Sequence, residues 1–201
     1  MEERNFREML KAQWAKGNFV CVGLDSDANK IPNCVSDGGM TLSHTITMFN
    51  REIVGATKDI VCAYNPNIAF YEEHGSHGFS ALKQTIEHIH TVAPDVPVIL
   101  DAKRGDIGNT NNGYVKMAFD YLQADAITVN PYLGFEALKP FLDRQDKGIF
   151  ILCRTSNPGA GEFQDLFVSV DCPESNILAN AGVPYRCSNV GGCVIPLWSH
   201  I

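Results

Sequence analysis

Asp101, Lys103 and Asp106 set an ammonium between two carboxylates, directly after the apolar run Val96-Pro97-Val98-Ile99-Leu100. On an extended strand, side chains two apart share a face. Asp101 and Lys103 are therefore expected to point together into whatever pocket lies at the strand's end, with Asp106 in the loop beyond. Two acids near one ammonium favour its charged form and leave a positioned proton donor beside a negative field. Such a trio suits protonation of a carbanion. Charge runs of this kind also occur as solvated ion-pair clusters, and the three residues alone do not choose between the readings.

The elements that must position them follow from periodicity. Strand-like runs alternate with amphipathic helices over residues 1–166, a pattern that predicts a parallel sheet with helical crossovers. Asn5 with Glu8 makes a capping box for a first helix whose apolar stripe is Phe6, Met9, Leu10 and Trp14, and Gly17 is placed to end it. Strands are expected at 19–24, 60–64, 96–100, 126–129 and 148–153. Between them, Leu42, Ile46, Phe49 and Ile53, then Phe79, Leu82, Ile86 and Ile89, recur at helical spacing. Tyr114, Met117, Ala118 and Tyr121, then Phe135, Leu138, Phe141 and Leu142, do the same. All read as core faces.

Asp25, Asn65, Asp101, Lys103, Thr155 and Ser156 each fall at or just after the carboxyl end of one of these strands. (β/α)8 barrels build their sites there. Open doubly wound sheets also bind at strand ends, but their Gly-x-Gly-x-x-Gly turn is absent, so a TIM barrel is the expected fold. The barrel is incomplete, with about five β/α units where a full one takes roughly 250 residues.

Composition narrows the class. A formal charge of −7, without a Lys/Arg-rich stripe, argues against a nucleic-acid surface. No apolar run reaches the roughly 18 to 20 residues of a membrane span, and Met1-Glu2-Glu3-Arg4 lacks the pattern of a signal peptide; a cytoplasmic chain is expected. Seven cysteines without a Cys-x-x-Cys pair suggest neither a disulfide framework nor a zinc ribbon. His74-Gly75-Ser76-His77 and His88-Ile89-His90 lack metalloprotease spacing, so solvent-facing or loop roles are expected and no metal site.

Residues 167–201 form a separate segment by composition, with 3 charged residues in 35 against 36 in the preceding 166, and three of the seven cysteines. Out-of-frame translation, an alternative exon or a truncation scar would each give such a tail. A divergent sixth strand at 190–197 is the alternative.

Asp-x-Lys-x-x-Asp followed by Ile-x-x-Thr at 101–110 closely resembles the catalytic motif of the orotidine 5′-monophosphate decarboxylases. Phe19-Val20-Cys21-Val22-Gly23-Leu24-Asp25 resembles that family's first strand. Asn67-Ile68-Ala69-Phe70-Tyr71-Glu72 resembles the exit of its second strand in the bacterial-type branch, and Arg154-Thr155-Ser156-Asn157-Pro158-Gly159-Ala160 the turn after its fifth. Nothing after about Leu166 resembles it.

This resemblance implies a lyase of pyrimidine biosynthesis that converts orotidine 5′-monophosphate to uridine 5′-monophosphate and carbon dioxide with no metal or organic cofactor. It implies that Lys103 donates the proton to C6 and that Asp101 lies against the substrate carboxylate. Asp106 and Thr110 would reach a partner's ribose, giving a homodimer with composite sites. Asp25 and Asn65 would bind substrate at the first two strand ends, and Thr155 and Ser156 would read the pyrimidine edge. The sequence departs from the family in two ways. Asn65 stands where the family carries a lysine, and the tail holds no counterpart of its late phosphate-binding loops, so an impaired enzyme is expected. Two alternatives stay open: a magnesium-dependent sugar-phosphate lyase of the same superfamily, and an inactive remnant that pairs with an intact subunit.

Overall fold

The structure, a computed structural model, describes residues 4–35, 39, 41–165 and 193–197. Helix α1 (Phe6–Ala15) starts at Asn5, whose side chain accepts from the Glu8 amide, and ends before Gly17, whose φ of 85° suits a residue without a Cβ. Phe6 and Leu10 are buried, but Trp14 stays largely exposed, so the apolar stripe is narrower than its spacing suggests.

Strands β1 (Val20–Gly23), β2 (Val61–Asn65), β3 (Ile99–Arg104), β4 (Ala126–Val129) and β5 (Gly148–Arg154) lie side by side in chain order. β1 pairs parallel with β2, β3 with β4, and β4 with β5. Parallel bridges Tyr64–Val98 and Asn67–Asp101 join β2 to β3. Helices α2 (Leu42–Thr57), α3 (Ala69–Glu72), α4 (Gly75–Val92), α5 (Gly108–Val115) and α6 (Phe135–Leu142) fill the crossovers, and α7 (Gly161–Gln164) follows β5. Residues Lys116–Tyr121 continue α5 as a π-type stretch.

The pleat sorts side chains into two layers. Tyr64, Leu100, Ile127, Val129, Ile149 and Ile151 face the helices and pack on Ile46, Val54, Leu82, Ile86 and Ile89. Each such aliphatic contributes roughly 1.5–3 kcal/mol by leaving water. Ile99, Ala126 and Phe150 turn to the other face, where Phe6 and Leu10 of α1 cover them. Helix α1 thus closes the amino-terminal end of the inner face, and the carboxyl ends are left for chemistry.

Several expectations need correction. β3 begins at Ile99 and runs through Arg104, so Asp101 and Lys103 lie within the strand and not after it. His90 does not face solvent: its side chain is mostly buried, with Nε2 3.8 Å from Asp125 Oδ2. Among the described residues, no group of three His, Cys, Asp or Glu side chains is placed to hold a metal ion. No described helix is long and apolar enough to cross a membrane.

The tail supplies β6 (Cys193–Leu197), close to the strand considered at 190–197, but it pairs antiparallel with β5, whereas a further barrel strand would be parallel. Pro196 is tolerated because β6 is an edge strand among the described strands. The composition break at Leu166, the rest of the tail to residue 192, and any phosphate loops there fall outside the described residues. At the other edge β1 has no second neighbour among the described strands, and Phe19 and Ile60 beside it are 70% and 59% exposed.

Candidate active site

Lys103 places Nζ 2.6 Å from both oxygens of Asp101. The contact is the expected one, but the geometry is not simple alternation. Lys103 has φ 48°, a left-handed conformation uncommon for a residue with a Cβ. The β3–β4 ladder also shifts register between Leu100 and Arg104. At Gly105 the chain presses against the residue that follows β4, where a Cβ would stand 2.7 Å from the Asn130 carbonyl oxygen, so a side chain is excluded.

Thr128 on β4 completes this cluster. Its hydroxyl donates to Asp101 Oδ1 at 2.7 Å and accepts from the amides of Ala102 and Lys103, each at 2.9 Å. In the sequence Thr128 reads as one more β-branched strand former. The available signal was its inward parity with Ala126 near the strand's carboxyl end.

Asp25 lies beyond β1 and accepts from the Asn67 amide at 3.3 Å, while Asn67 pairs with Asp101 across β2 and β3. The three strand ends are therefore tied through one backbone link. Asn65, at the end of β2, keeps Oδ1 buried with no hydrogen-bond partner among the described residues. Behind this corner lies a buried network that periodicity did not reveal. Tyr71 donates to the Leu24 carbonyl at 2.7 Å, and Asn50 donates to Tyr71 at 3.0 Å and to Thr85 at 2.9 Å.

Asp106 is not brought onto Lys103. Its Oδ1 accepts from the Ile107 amide at 2.7 Å, and its own amide donates to Asn111 Oδ1 at 2.9 Å. Of the two acids expected to flank the ammonium, only Asp101 does so among the described ion pairs. Thr110 is exposed on the first turn of α5. Arg104 turns away from Lys103, pairing with Glu72 and lying 5.4 Å from the Tyr114 ring centroid.

Thr155 and Ser156 follow β5. The Thr155 amide donates to Gln164 Oε1 at 2.7 Å, and its hydroxyl donates to Asn157 Oδ1 at 2.5 Å, which folds the turn onto α7. Ser156 is exposed. A cleft of about 220 Å³ lined by Gln13, Lys16, Lys58, Val92 and Asp95 lies at the opposite, amino-terminal end of the strands, and the Lys16–Asp95 ion pair already occupies its polar wall.

The chain matches the model of the family described as Orotidine 5′-phosphate decarboxylase / HUMPS over residues 18–181, which reaches beyond the break near Leu166. It is 44% identical over 191 residues to an orotidine 5′-phosphate decarboxylase of Roseiflexus castenholzii, covering 94% of this chain and 66% of that protein. It is 51% identical over 149 residues to one of Herpetosiphon aurantiacus, covering 74% of this chain and 53% of that protein. The structure of Leishmania donovani OMP decarboxylase superposes with a TM-score of 0.71 at 37% identity, over 83% of this chain and 60% of that one. The chain thus spans between about half and two thirds of these relatives' length. With strands in barrel order and a carboxylate–ammonium pair at their carboxyl ends, these likenesses show that the fold is of the TIM-barrel type, here partial, and that the chain belongs to the orotidine 5′-phosphate decarboxylase / HUMPS family.

Proposed function

We propose that the chain carries the decarboxylation of orotidine 5′-monophosphate to uridine 5′-monophosphate, with Lys103 as proton donor and no metal or organic cofactor. The observation that carries this reading is the Lys103 ammonium held 2.6 Å from both Asp101 oxygens at the carboxyl end of the sheet. The bond from C6 to the carboxylate breaks, its electron pair stays on C6, and carbon dioxide leaves. An N–H of Lys103 then gives its proton to C6, and the amine regains one from water. Before the bond breaks, the ammonium offsets the charge that develops on the ring. Asp101 orients that ammonium and opposes the nearby substrate carboxylate by like charge.

Exposed Asp25 is suited to accept a ribose hydroxyl, Asn65 to contact substrate at the end of β2, and the Thr155–Ser156 turn to meet the pyrimidine edge. Asp106, which makes no ion pair with Lys103 among the described residues, and exposed Thr110 would act toward a second subunit. Exposed Ile107 lies beside Asp106, and exposed Leu133 and Phe135 lie after the next strand, at the start of α6, apolar residues suited to a homodimer contact. A cytoplasmic setting fits the odd cysteine count and the reduced state of the cysteines among the described residues.

Turnover of this chain is expected to be well below that of its relatives, because Asn65 supplies no cation at the end of β2. The test is loss of absorbance as orotidine nucleotide becomes uridine nucleotide, with and without a chelator. A slow, chelator-insensitive rate that Lys103→Ala abolishes is expected. Activity surviving Lys103→Ala would overturn the proton-donor role, and dependence on magnesium would favour the sugar-phosphate branch. Sedimentation at several concentrations should show self-association; a monomer at all of them would remove the composite site.

A further inference from the structure

We infer that Thr128 is the positioning residue of the Asp101–Lys103 pair: its single hydroxyl holds Lys103 in the left-handed conformation and aims the Asp101 carboxylate. The effect on turnover rests on the reading of Lys103 as proton donor; the effect on conformation does not.

The ladder between β3 and β4 pairs Leu100 with Ile127 and next pairs Arg104 with Val129. Four residue steps on β3 therefore face two on β4, and the chain between must leave the regular register. Its amides at Ala102 and Lys103 turn instead to one side-chain oxygen, Thr128 Oγ1, at 2.9 Å each. A hydroxyl has two acceptor positions and one proton. Both acceptor positions are taken by these amides, so the proton is left for Asp101 Oδ1 at 2.7 Å. That same oxygen receives Lys103 Nζ at 2.6 Å.

The direction of the three bonds at Thr128 is thereby fixed from one atom. Thr128 is buried, so water does not readily replace it. The left-handed backbone of Lys103 is strained, and such strain persists only where neighbours over-determine it. Thr128 supplies that constraint, and with it a reason why a carboxylate and an ammonium two residues apart meet although the backbone between them is not extended.

The experiment compares the full chain with Thr128→Val, which keeps the shape and loses all three bonds, and with Thr128→Ser, which keeps the hydroxyl. Amide hydrogen exchange and carbon shifts are followed by NMR, with Ile86→Val as a remote core control. In Thr128→Val the Ala102 and Lys103 amides should exchange at least about tenfold faster, the size of one lost hydrogen bond, and the Lys103 shifts should leave left-handed values. Thr128→Ser should retain both features, and Ile86→Val should leave the Lys103 shifts unmoved. If the valine variant does not fold, Thr128→Ala is read in the same way. Retained protection and an unchanged Lys103 in Thr128→Val or Thr128→Ala would overturn the proposal.

In parallel assays kcat should fall roughly tenfold or more with KM nearly constant, and serine should restore it. Should Lys103 relax while turnover is unaltered, positioning stands and Lys103 is not the proton donor. A chain without turnover counts against the decarboxylase reading of this chain, and the exchange result decides Thr128 by itself.

Discussion

Tyr71→Phe removes one oxygen from the interior and should destabilise the chain far more than its size suggests. Tyr71 is fully buried. Its hydroxyl donates to the Leu24 carbonyl at 2.7 Å and accepts from Asn50 Nδ2 at 3.0 Å. Asn50, also fully buried, uses its other N–H on Thr85 and its carbonyl on the Ser26 hydroxyl. The variant strands the Asn50 N–H and leaves the buried Leu24 carbonyl only a long contact of 3.5 Å from the Ser26 hydroxyl, whose proton already serves Asn50. At about 1–3 kcal/mol per orphaned group, less what the apolar ring regains, the expected loss is about 2–4 kcal/mol. With a urea slope of about 2 kcal/mol/M, the unfolding midpoint should drop by about 1–2 M.

Because Leu24 and Ser26 flank Asp25, the Asn67 amide that donates to Asp25 should also lose exchange protection. The pH dependence has a definite sign. Burial pushes the Tyr71 phenol up to about 12 from 10.0. Stability that depends on the neutral phenol is therefore complete below pH 10 and is lost as pH rises from 10 toward 12, a loss the variant should lack. A midpoint shift under about 0.3 M, beneath the cost of even one orphaned group, would refute the network as described.

Two further perturbations probe the amino-terminal end of the sheet. Burial, then the charge of Arg4, pushes the His90 imidazole down to about 4, with Asp125 acting in the opposite sense and Lys147 and Lys83 reinforcing the shift. The unfolded chain binds the extra proton, so stability should fall as pH drops from 6.5 to about 4. The loss should be on the order of 3 kcal/mol at most, and His90→Leu should flatten it; an unchanged acid profile in the variant would exclude His90 as its source. Arg4 grips the buried Asp125 carboxylate at 2.9 and 2.7 Å and also donates to the Pro94 carbonyl at 2.7 Å. Arg4→Met should cost about 3–5 kcal/mol in denaturant titration, because the carboxylate keeps its burial and loses its cation; a cost near zero would mean water replaces the guanidinium.

The parts of this architecture that were legible in sequence are those written in periodicity. β4 at Ala126–Val129 has the expected bounds, and Leu82, Ile86 and Ile89 are buried on the helix face their spacing marks. The Asp101–Lys103 contact was legible for the right residues on an incomplete ground, since alternation assumes an extended chain and Lys103 is left-handed. Nothing local encodes that turn. It depends on a hydroxyl from the next strand, 25 residues away in sequence, whose residue type is indistinguishable from strand propensity. Asn50 was hidden for the mirror reason, as a polar residue in an amphipathic helix that reads as a solvent position until its partners on α3 and α4 are in place. The direction of β6 was equally illegible, because a short apolar run pairs either way and the available edge decides.

The two ends of the sheet differ in what they do with polar groups, and that difference explains where chemistry is possible. At the amino-terminal end Asp125 takes Arg4 and the Val98 amide, and α1 covers the inner face, so the charges there are spent on fastening the chain. At the carboxyl end one carboxylate holds an ammonium through a strained backbone, and among the described residues Asn65 leaves an acceptor unused and exposed Asp25 has a long amide contact. Groups left unsatisfied in a folded protein cost stability, and they persist where something outside the chain can satisfy them. The strands carry both ends, and the pleat keeps Ala126 and Thr128 on the same inward face, so the apolar residue that seats α1 and the hydroxyl that sets Lys103 lie two positions apart on β4. A one-residue slip of β4 would turn both away together, which couples the fastening of the barrel floor to the geometry of the site.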